Sequence, residues 1–153
     1  MIQNLKKILS PIDFSEFSFQ AMRAAWELAR DVGAELHLLH VVVPHGNYVP
    51  LLLARDVDSA REMARESSMV QQAEEELANV KKAQFGNSAK VFTGALAGSP
   101  VTKIIDYAEQ NAIDLILLSS HGRTGFNRMM LGSTAEMLVR GAPCSVLVFR
   151  TRN

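Results

Sequence analysis

Apolar and polar residues along this chain follow two periods in turn, one typical of strands and the other typical of helices. Between the strand-like runs, apolar residues recur three and four positions apart, which is the spacing of one helix face. These segments predict four helices that alternate with the strands. The apolar runs predict five strands, at residues 7–12, 35–43, 89–93, 114–119 and 145–149.

Turn and cap residues limit the first two predicted helices. The run Asp13-Phe-Ser-Glu16 is typical of a helix start, and Gly33 is the expected stop of that helix. The second helix extends from about Leu51 to Phe85. It is long and charged, and we expect an interruption in it. Its apolar stripe contains Val70, Ala73, Leu77 and Val80.

The remaining helices follow glycine-containing loops. After the short third strand, residues 94–98 read as a loop, and Ser99 with Pro100 then provides a cap and a first-turn proline. The fourth helix is expected from Ser133 to Arg140. The resulting order, a strand and a helix repeated four times before a final strand, predicts an α/β fold with a parallel sheet.

Topology then suggests where a ligand would bind. The second strand is apolar on both faces, as expected of a central strand covered by helices on both sides. A doubly wound sheet in the order 3-2-1-4-5 binds ligands where the order reverses, between its first and fourth strands. Those strands end at Pro11, Ile12 and Asp13 and at Ser119 to Gly122, so these residues are expected to face one crevice.

Composition narrows the class of protein. The 153 residues fit one domain, and 16 basic residues balance 16 acidic ones, so no long-range field would steer the protein onto nucleic acid or an anionic membrane. No apolar run approaches the roughly 18 residues of a membrane span, and the N-terminal run is too short for a signal peptide. Cys144 is the single cysteine and is expected to be a small buried residue. We therefore expect a soluble, cytoplasmic protein.

Candidate chemistry lies between the fourth strand and the fourth helix. Ser119, Ser120, His121 and Gly122 follow the strand, and Gly132-Ser-Thr134 opens the helix. Backbone N–H groups at such a helix start favour an anion, so we predict phosphate binding here.

Five motifs along the chain form a specific set. They are Ile-Leu-Ser-Pro-Ile-Asp-Phe-Ser from residue 8, Leu-Leu-His-Val-Val from residue 38, Ser-Ser-His-Gly-Arg-Thr-Gly from residue 119, Leu-Gly-Ser-Thr-Ala-Glu from residue 131, and Ala-Pro-Cys-Ser-Val-Leu-Val from residue 142. Together they resemble the universal stress protein family. The ATP-binding members carry glycine, two residues, glycine, nine residues, glycine and then Ser or Thr. Gly122, Gly132 and Ser133 fit that pattern, and Ser119 replaces the first glycine.

The resemblance implies a Rossmann-like fold of the adenine nucleotide alpha hydrolase type, with ATP as the ligand and Mg²⁺ on its phosphates. It implies that Asp13 bonds the ribose hydroxyls and that the backbone of Val41 contacts adenine. It further implies that the phosphates are held by Gly122, Gly132, Ser133 and Thr134. Arg123, in the loop, is a candidate cationic partner for them.

Other interpretations remain open for several of these residues. Asp13 with Glu16, and Ser133 with Glu136, also have the spacing of helix capping boxes. His121 would donate to phosphate or would simply be solvated. A metal site built from His37 and His40 is disfavoured because strand alternation places the two rings on opposite faces.

Three functions fit these features. The first is a stress-response module that signals through ATP occupancy. The second is a slow ATPase or a nucleotidyl-transfer enzyme, although no P-loop lysine motif and no catalytic base is evident. The third is a nucleotide-free dimerisation module. In all three we expect a homodimer formed by the edge strand Ser145 to Phe149.

Overall fold

A computed structural model of the chain describes residues 5–44, 56–121 and 131–150. The elements are β1 (Lys7–Pro11), α1 (Glu16–Val32), β2 (Glu35–Val42), α2 (Asp56–Phe85), β3 (Val91–Ala97), α3 (Pro100–Gln110), β4 (Leu115–Ser119), α4 (Ser133–Gly141) and β5 (Ser145–Phe149). The described residues contain five parallel strands in one sheet, in the order β3-β2-β1-β4-β5. This order confirms the predicted doubly wound α/β fold.

Both ends of α1 have a local cause in the sequence. The Ser15 side chain accepts a hydrogen bond from the Ser18 N–H, which is otherwise without an intrahelical acceptor. Gly33 ends the helix with a φ of 74°, a conformation that glycine adopts without a Cβ clash. The predicted stop is confirmed, and the chain turns there directly into β2.

Strand β3 is longer than the sequence predicted. It begins at Val91 and continues to Ala97, through residues that were expected to form a loop. The expectation was wrong because Gly94 was taken as a turn residue. Gly94 instead pairs with Leu39, and the pairing continues to Val42 and Ala97, so the ladder along β2 extends the strand.

Helix α2 is continuous from Asp56 to Phe85, so the interruption expected in it is absent from this span. Residues 51–55 of the predicted helix lie outside the described residues. The predicted stripe is confirmed, since Ala73 and Leu77 are buried and Val70 and Val80 pack against the same core.

Two apolar layers sandwich the sheet. One packs α1 and α2 against the face that carries Ile8, Leu36 and Leu38. The other packs α3 and α4 against the face that carries Leu9, Leu39 and Ile116. Neighbouring residues of one strand thus enter opposite layers, and the central strands are buried on both sides, as a parallel sheet requires.

The two edges of the sheet are β3 and β5. Leu147 in the middle of β5 is 41% exposed, whereas Val146 and Val148 pack against the layer of α3 and α4. In the ranges 5–44, 56–121 and 131–150, no helix has the length and apolar character that crossing a bilayer requires.

Candidate functional site

A crevice of about 810 Å³ opens at the carboxyl ends of the strands, where the strand order reverses. Its walls come from the ends of β1, β2 and β4, from α2 and the first turn of α4, and from a few positions of α1 and α3. The crevice brings together nine residues that the sequence singled out, from segments distant in the chain: Pro11, Ile12, Asp13, Val41, Ser119, His121, Gly132, Ser133 and Thr134. Gly122 and Arg123, the other two candidates, lie outside the described residues.

We call the first wall the β1 end, meaning Ile12 to Ser15 together with His40. Here the Ile12 N–H donates to the Leu39 carbonyl at 2.8 Å, which joins the chain after β1 to β2. Asp13 Oδ1 then accepts from the Ser15 N–H at 2.9 Å and from the Ser15 hydroxyl at 2.5 Å. The carboxylate is therefore oriented by the turn that precedes α1.

This turn corrects the first proposed capping box. The N-cap of α1 is Ser15, not Asp13, and Glu16 is the first helical residue. Asp13 therefore stabilises the turn before the cap, and Glu16 pairs with Arg23 at 2.8 Å on the exposed surface. That hydrogen bond to Arg23 lowers the pKa of Glu16. The sequence spacing suggested a cap two residues too early.

Phe14 and His40 belong to the β1 end, and sequence reasoning did not assign either of them to the site. Phe14 has a φ of 62°, in the left-handed region that bulky residues seldom adopt. Its ring centroid lies 4.6 Å from that of His40. His40 Nδ1 lies 2.7 Å from the Ile12 carbonyl oxygen, and the His40 side chain also lines the crevice. The Leu-Leu-His-Val-Val motif includes His40, so this motif was the sequence feature that could have pointed to the residue.

The opposite wall, which we call the β4 end, consists of Ser119, Ser120, His121 and Gly132. Ser119 is the last residue of β4, so no left-handed backbone is needed at the position where the family pattern has glycine. Its hydroxyl donates to the His121 carbonyl at 2.6 Å. The buried Ser120 hydroxyl lies 2.8 Å from His121 Nδ1, and the Ser120 N–H donates to the Phe149 carbonyl.

Gly132 joins this wall to α4. Its N–H donates to the Ser120 carbonyl at 2.9 Å, and a Cβ at Gly132 would lie only 3.2 Å from the same oxygen. Its φ of −60° is open to any residue, so the close approach of two backbone segments is what favours glycine. The direction of that Cβ is toward the backbone of Ser120, so a larger side chain would disturb the wall itself.

The second capping box also needs correction. The N-cap of α4 is Gly132, which has no side chain, and Ser133 is the first helical residue. Ser133 therefore does not cap this helix. It lines the crevice with Thr134 and Ala135, at a helix start where backbone N–H groups lack intrahelical acceptors. An anion is favoured at this position by those groups and by the helix dipole.

Helix α2 supplies a wall that the sequence did not identify. Met69, Gln72, Ala73 and Glu76 line the crevice from this helix. The apolar stripe of α2 predicted that the helix packs against the sheet. The position of the helix along the sheet, which the stripe does not give, decides which neighbouring residues reach the crevice. Among the described lining residues no lysine or arginine occurs, so there the positive potential comes from the backbone N–H groups at the start of α4.

The strongly buried titratable groups lie elsewhere. Burial lowers the pKa of His37, whose Nδ1 lies 2.9 Å from the Tyr107 hydroxyl on the side of α3. His40 faces Phe14 on the other side of the sheet, and the described residues hold no group of three ligands suited to a metal. Cys144 is partly buried, and burial raises the pKa of its thiol, which keeps it protonated.

Known proteins resemble this chain over nearly its whole length. The model of the universal stress protein family matches residues 4–150. Universal stress protein MJ0531 of Methanocaldococcus jannaschii is 33% identical over 145 residues, which cover 95% of this chain and 82% of that protein. Universal stress protein MJ0577 of the same organism is 30% identical over 156 residues, covering 97% and 96%. A solved structure of MJ0577 gives a TM-score of 0.77 at 28% identity, covering 97% of this chain and 98% of that one.

Two other solved structures contain adenine nucleotides. A universal stress protein in complex with cAMP has a TM-score of 0.63 at 18% identity and covers 97% of this chain and 99% of that one. The universal stress protein from Archaeoglobus fulgidus in complex with dAMP has a TM-score of 0.56 at 20% identity, covering 98% and 100%. At these identities the likeness shows a shared fold.

Proposed function

The chain belongs to the universal stress protein family, and we propose that it binds ATP and acts as a regulatory stress-response module through occupancy of that site. The observation that carries the proposal is the convergence of nine candidate residues on one crevice at the switch point of the sheet. Their chemistry suits the three parts of a nucleotide. The solved relatives with cAMP and dAMP are consistent with an adenine nucleotide as the class of ligand.

In this proposal the β1 end holds the sugar, and the end of β2 holds the base. The Asp13 carboxylate accepts hydrogen bonds from the ribose hydroxyls, since a carboxylate has acceptor positions for both. Val41, at the carboxyl end of β2, offers its backbone to adenine. These roles agree with the half-buried position of both residues beside the crevice.

The β4 end and the first turn of α4 hold the phosphates. The first turn of α4 presents Ser133 and Thr134 to the crevice, with backbone donors and hydroxyls that suit phosphate oxygens. We propose that Gly122 and Arg123 complete this part, with Mg²⁺ on the phosphates. When bound, Mg²⁺ would neutralise phosphate charge, which is useful in a crevice that also contains Asp13 and Glu76.

Thermal unfolding with and without nucleotide tests the proposal. A ligand that binds only the folded state stabilises it by about 2.7 kcal/mol at one hundred times its dissociation constant. We expect the melting temperature to rise with Mg-ATP and to stay unchanged with MgCl₂ alone. No rise with Mg-ATP, ADP or AMP would contradict nucleotide binding. Mass spectrometry of small molecules released from the purified protein would identify a ligand acquired during expression.

An enzymatic function is the weaker alternative. His121 Nδ1 contacts the Ser120 hydroxyl, and Asp13 Oδ1 accepts from Ser15, so the titratable groups of the two walls are engaged in structural hydrogen bonds. We expect ATP hydrolysis far below the ~10 s⁻¹ of a median enzyme. Phosphate release near that rate, lost on changing one crevice residue, would favour the enzyme instead.

We also propose a homodimer formed by β5. The Ser120 N–H donates to the Phe149 carbonyl, so the backbone of Phe149 faces β4. Alternate residues of a strand share a direction, so Leu147 also bonds toward β4, while Val146 and Val148 present their backbone groups to the open edge. A second β5 would satisfy those groups and cover Leu147.

This geometry decides which variant tests the dimer. Proline at Leu147 would remove a hydrogen-bond donor between β5 and β4 of one subunit. A loss of the dimer in that variant could then come from unfolding as well as from a broken interface. Leu147→Asp is better, because its exposed side chain tolerates charge in a monomer and places like charges close together in a symmetric pair. We expect the wild type to sediment as a dimer and the variant to dissociate. A monomeric wild type at high concentration would exclude this interface and the dimerisation-module hypothesis.

A further inference from the structure

His40 connects the ends of two strands at the crevice. Its Nδ1 lies 2.7 Å from the carbonyl oxygen of Ile12, the residue immediately before Asp13. A carbonyl oxygen only accepts hydrogen bonds, so Nδ1 carries the proton and donates. The Ile12 N–H in turn donates to the Leu39 carbonyl at 2.8 Å. β2 therefore holds Ile12 at both of its backbone polar groups.

The residue after Asp13 is in contact with the same ring. The Phe14 ring packs against His40 at a centroid distance of 4.6 Å and a tilt of 46°. Its φ of 62° is costly for a bulky residue and persists only where the surroundings fix the backbone. His40 thus contacts the residues on both sides of Asp13, namely the backbone carbonyl of Ile12 and the side chain of Phe14. The Asp13 backbone between these two contacts has little freedom to rotate.

The Asp13 side chain depends on that turn. Oδ1 accepts from both the N–H and the hydroxyl of Ser15, and the Asp13 N–H lies 3.4 Å from the Ser18 hydroxyl. None of these bonds joins Asp13 to β2 directly. Ile12, Phe14 and His40 form one connection between this turn and β2.

From this arrangement we infer that His40 is a positioning residue that sets how well the site distinguishes a ribonucleotide from its 2′-deoxy analogue. The inference rests on the proposed function, in which Asp13 bonds the ribose hydroxyls. Hydrogen bonds weaken steeply with distance and angle, so a carboxylate displaced by a relaxed turn loses its bond to the 2′-hydroxyl. A nucleotide without that hydroxyl loses nothing by the same displacement.

A purely structural role for His40 predicts a different result. Loss of a link between two strands would lower the stability of the fold, and it would weaken the binding of all nucleotides by similar factors. The ratio of the dissociation constants of 2′-deoxy-ATP and ATP separates the two roles, because general weakening cancels in the ratio. His40→Leu removes the donor, whereas His40→Asn keeps an N–H near the position of Nδ1.

Calorimetric titration of Mg-ATP and Mg-2′-deoxy-ATP into the wild type, His40→Leu, His40→Asn and Asp13→Asn tests the inference. A hydrogen bond to a charged group contributes enough for the wild type to prefer ATP by about tenfold or more. We expect Asp13→Asn and His40→Leu to reduce that preference to about twofold, mainly through weaker ATP binding. His40→Asn should retain most of the preference.

Each contrary result has a distinct meaning. If the wild type binds neither nucleotide, the proposed function fails and this inference fails with it. If the wild type binds both equally, or His40→Leu keeps the full preference for ATP, only the inference is overturned. Should His40→Leu not fold, Phe14→Gly replaces it, because glycine adopts a φ of 62° without strain. This variant removes the ring contact with His40 together with the packing of Phe14 on Phe19 and the α1–α2 layer. An unchanged preference in Phe14→Gly would also overturn the inference.

Discussion

The two ends of the crevice are built in different ways. At the β1 end, side-chain hydrogen bonds hold the turn in place: His40 donates to the Ile12 carbonyl, and the Asp13 carboxylate accepts from Ser15. At the β4 end, backbone bonds join the separate segments, since the Gly132 N–H donates to the Ser120 carbonyl and the Ser120 N–H to the Phe149 carbonyl. The Ser119 and Ser120 hydroxyls bond within their own segment, to His121. Side-chain bonds can be removed one at a time. A change at the β4 end also strains the framework.

This difference separates recognition from stability. We expect substitutions at the β1 end to alter which nucleotide is bound while the fold persists. Substitutions that add volume at the β4 end should lower the free energy of unfolding and nucleotide affinity together.

Gly132→Val should have the largest effect. Its Cβ would lie 3.2 Å from the Ser120 carbonyl oxygen, and a branched side chain also suits an N-cap position poorly. We expect a loss of about 3 kcal/mol in the free energy of unfolding, measured by urea denaturation, together with loss of the ATP response. Gly141→Val, on the same helix, is the control, because a Cβ there meets Ile105 Cδ1 at an ordinary 3.6 Å. Equal effects at both glycines would refute the importance of the close approach.

Asp13→Asn tests the other wall. Asparagine keeps an oxygen that can accept from Ser15 but loses the charge, so the turn should persist. We expect ATP affinity to fall by about 1.5–3 kcal/mol, or roughly ten- to a hundredfold, with little change in unfolding. Asp31→Asn, an exposed carboxylate at the end of α1, should change neither quantity. A stability loss in Asp13→Asn as large as that of Gly132→Val would contradict the separation.

Sequence patterns predicted the residues of the β4 end more completely than those of the β1 end, where Phe14 and His40 were not assigned. Glycine, serine and the spacing to Gly132 predicted a phosphate site, and the strand order placed Ser119 and Gly132 on one crevice with Asp13. The patterns misjudged both capping boxes, because Asp13, Ser15, Gly132 and Ser133 can all serve at a helix start, and only the backbone angles decide which one does.

Features that depend on contacts between distant parts of the chain could not be predicted from local sequence patterns. The extension of β3 through Gly94 comes from its pairing with β2, which local propensity does not contain. The role of His40 requires a carbonyl 28 positions away in the chain, and the α2 wall requires the placement of a helix. Local patterns therefore predicted the elements and their order, while the contacts between elements shaped the crevice.

Ser15→Ala tests how strongly the β1 end depends on the start of α1. The Ser15 hydroxyl accepts from the Ser18 N–H and donates to Asp13 Oδ1, so its removal costs the helix cap and one support of the carboxylate. We expect a loss of about 1 kcal/mol in unfolding free energy. Ser99→Ala is a matched control, because Ser99 holds the same position before α3 but makes no side-chain cap bond. Comparable losses in the two variants would show that the Ser15 bonds contribute little.

The smallest effect should come from His37, a histidine on the same strand as His40 but outside the crevice. His37 is buried against Tyr107 and Phe92, and its Nε2 lies 3.5 Å from Glu35 without a hydrogen-bond partner in the described structure. Burial lowers the pKa of His37, with Glu35 opposing that shift and Lys7 adding to it.

Because the folded state binds this proton less readily than the unfolded state, His37 contributes stability above the unfolded pKa of about 6.5 and loses it as the pH falls. We expect the wild-type melting temperature to fall between pH 7.5 and pH 5.5, and His37→Asn to show a smaller fall. The ratio of 2′-deoxy-ATP to ATP dissociation constants should be the same in both proteins at pH 7.5. A change in that ratio would mean that the sheet transmits strain from His37 to Asp13, and that the β1 end is less independent of the fold than its local hydrogen bonds indicate.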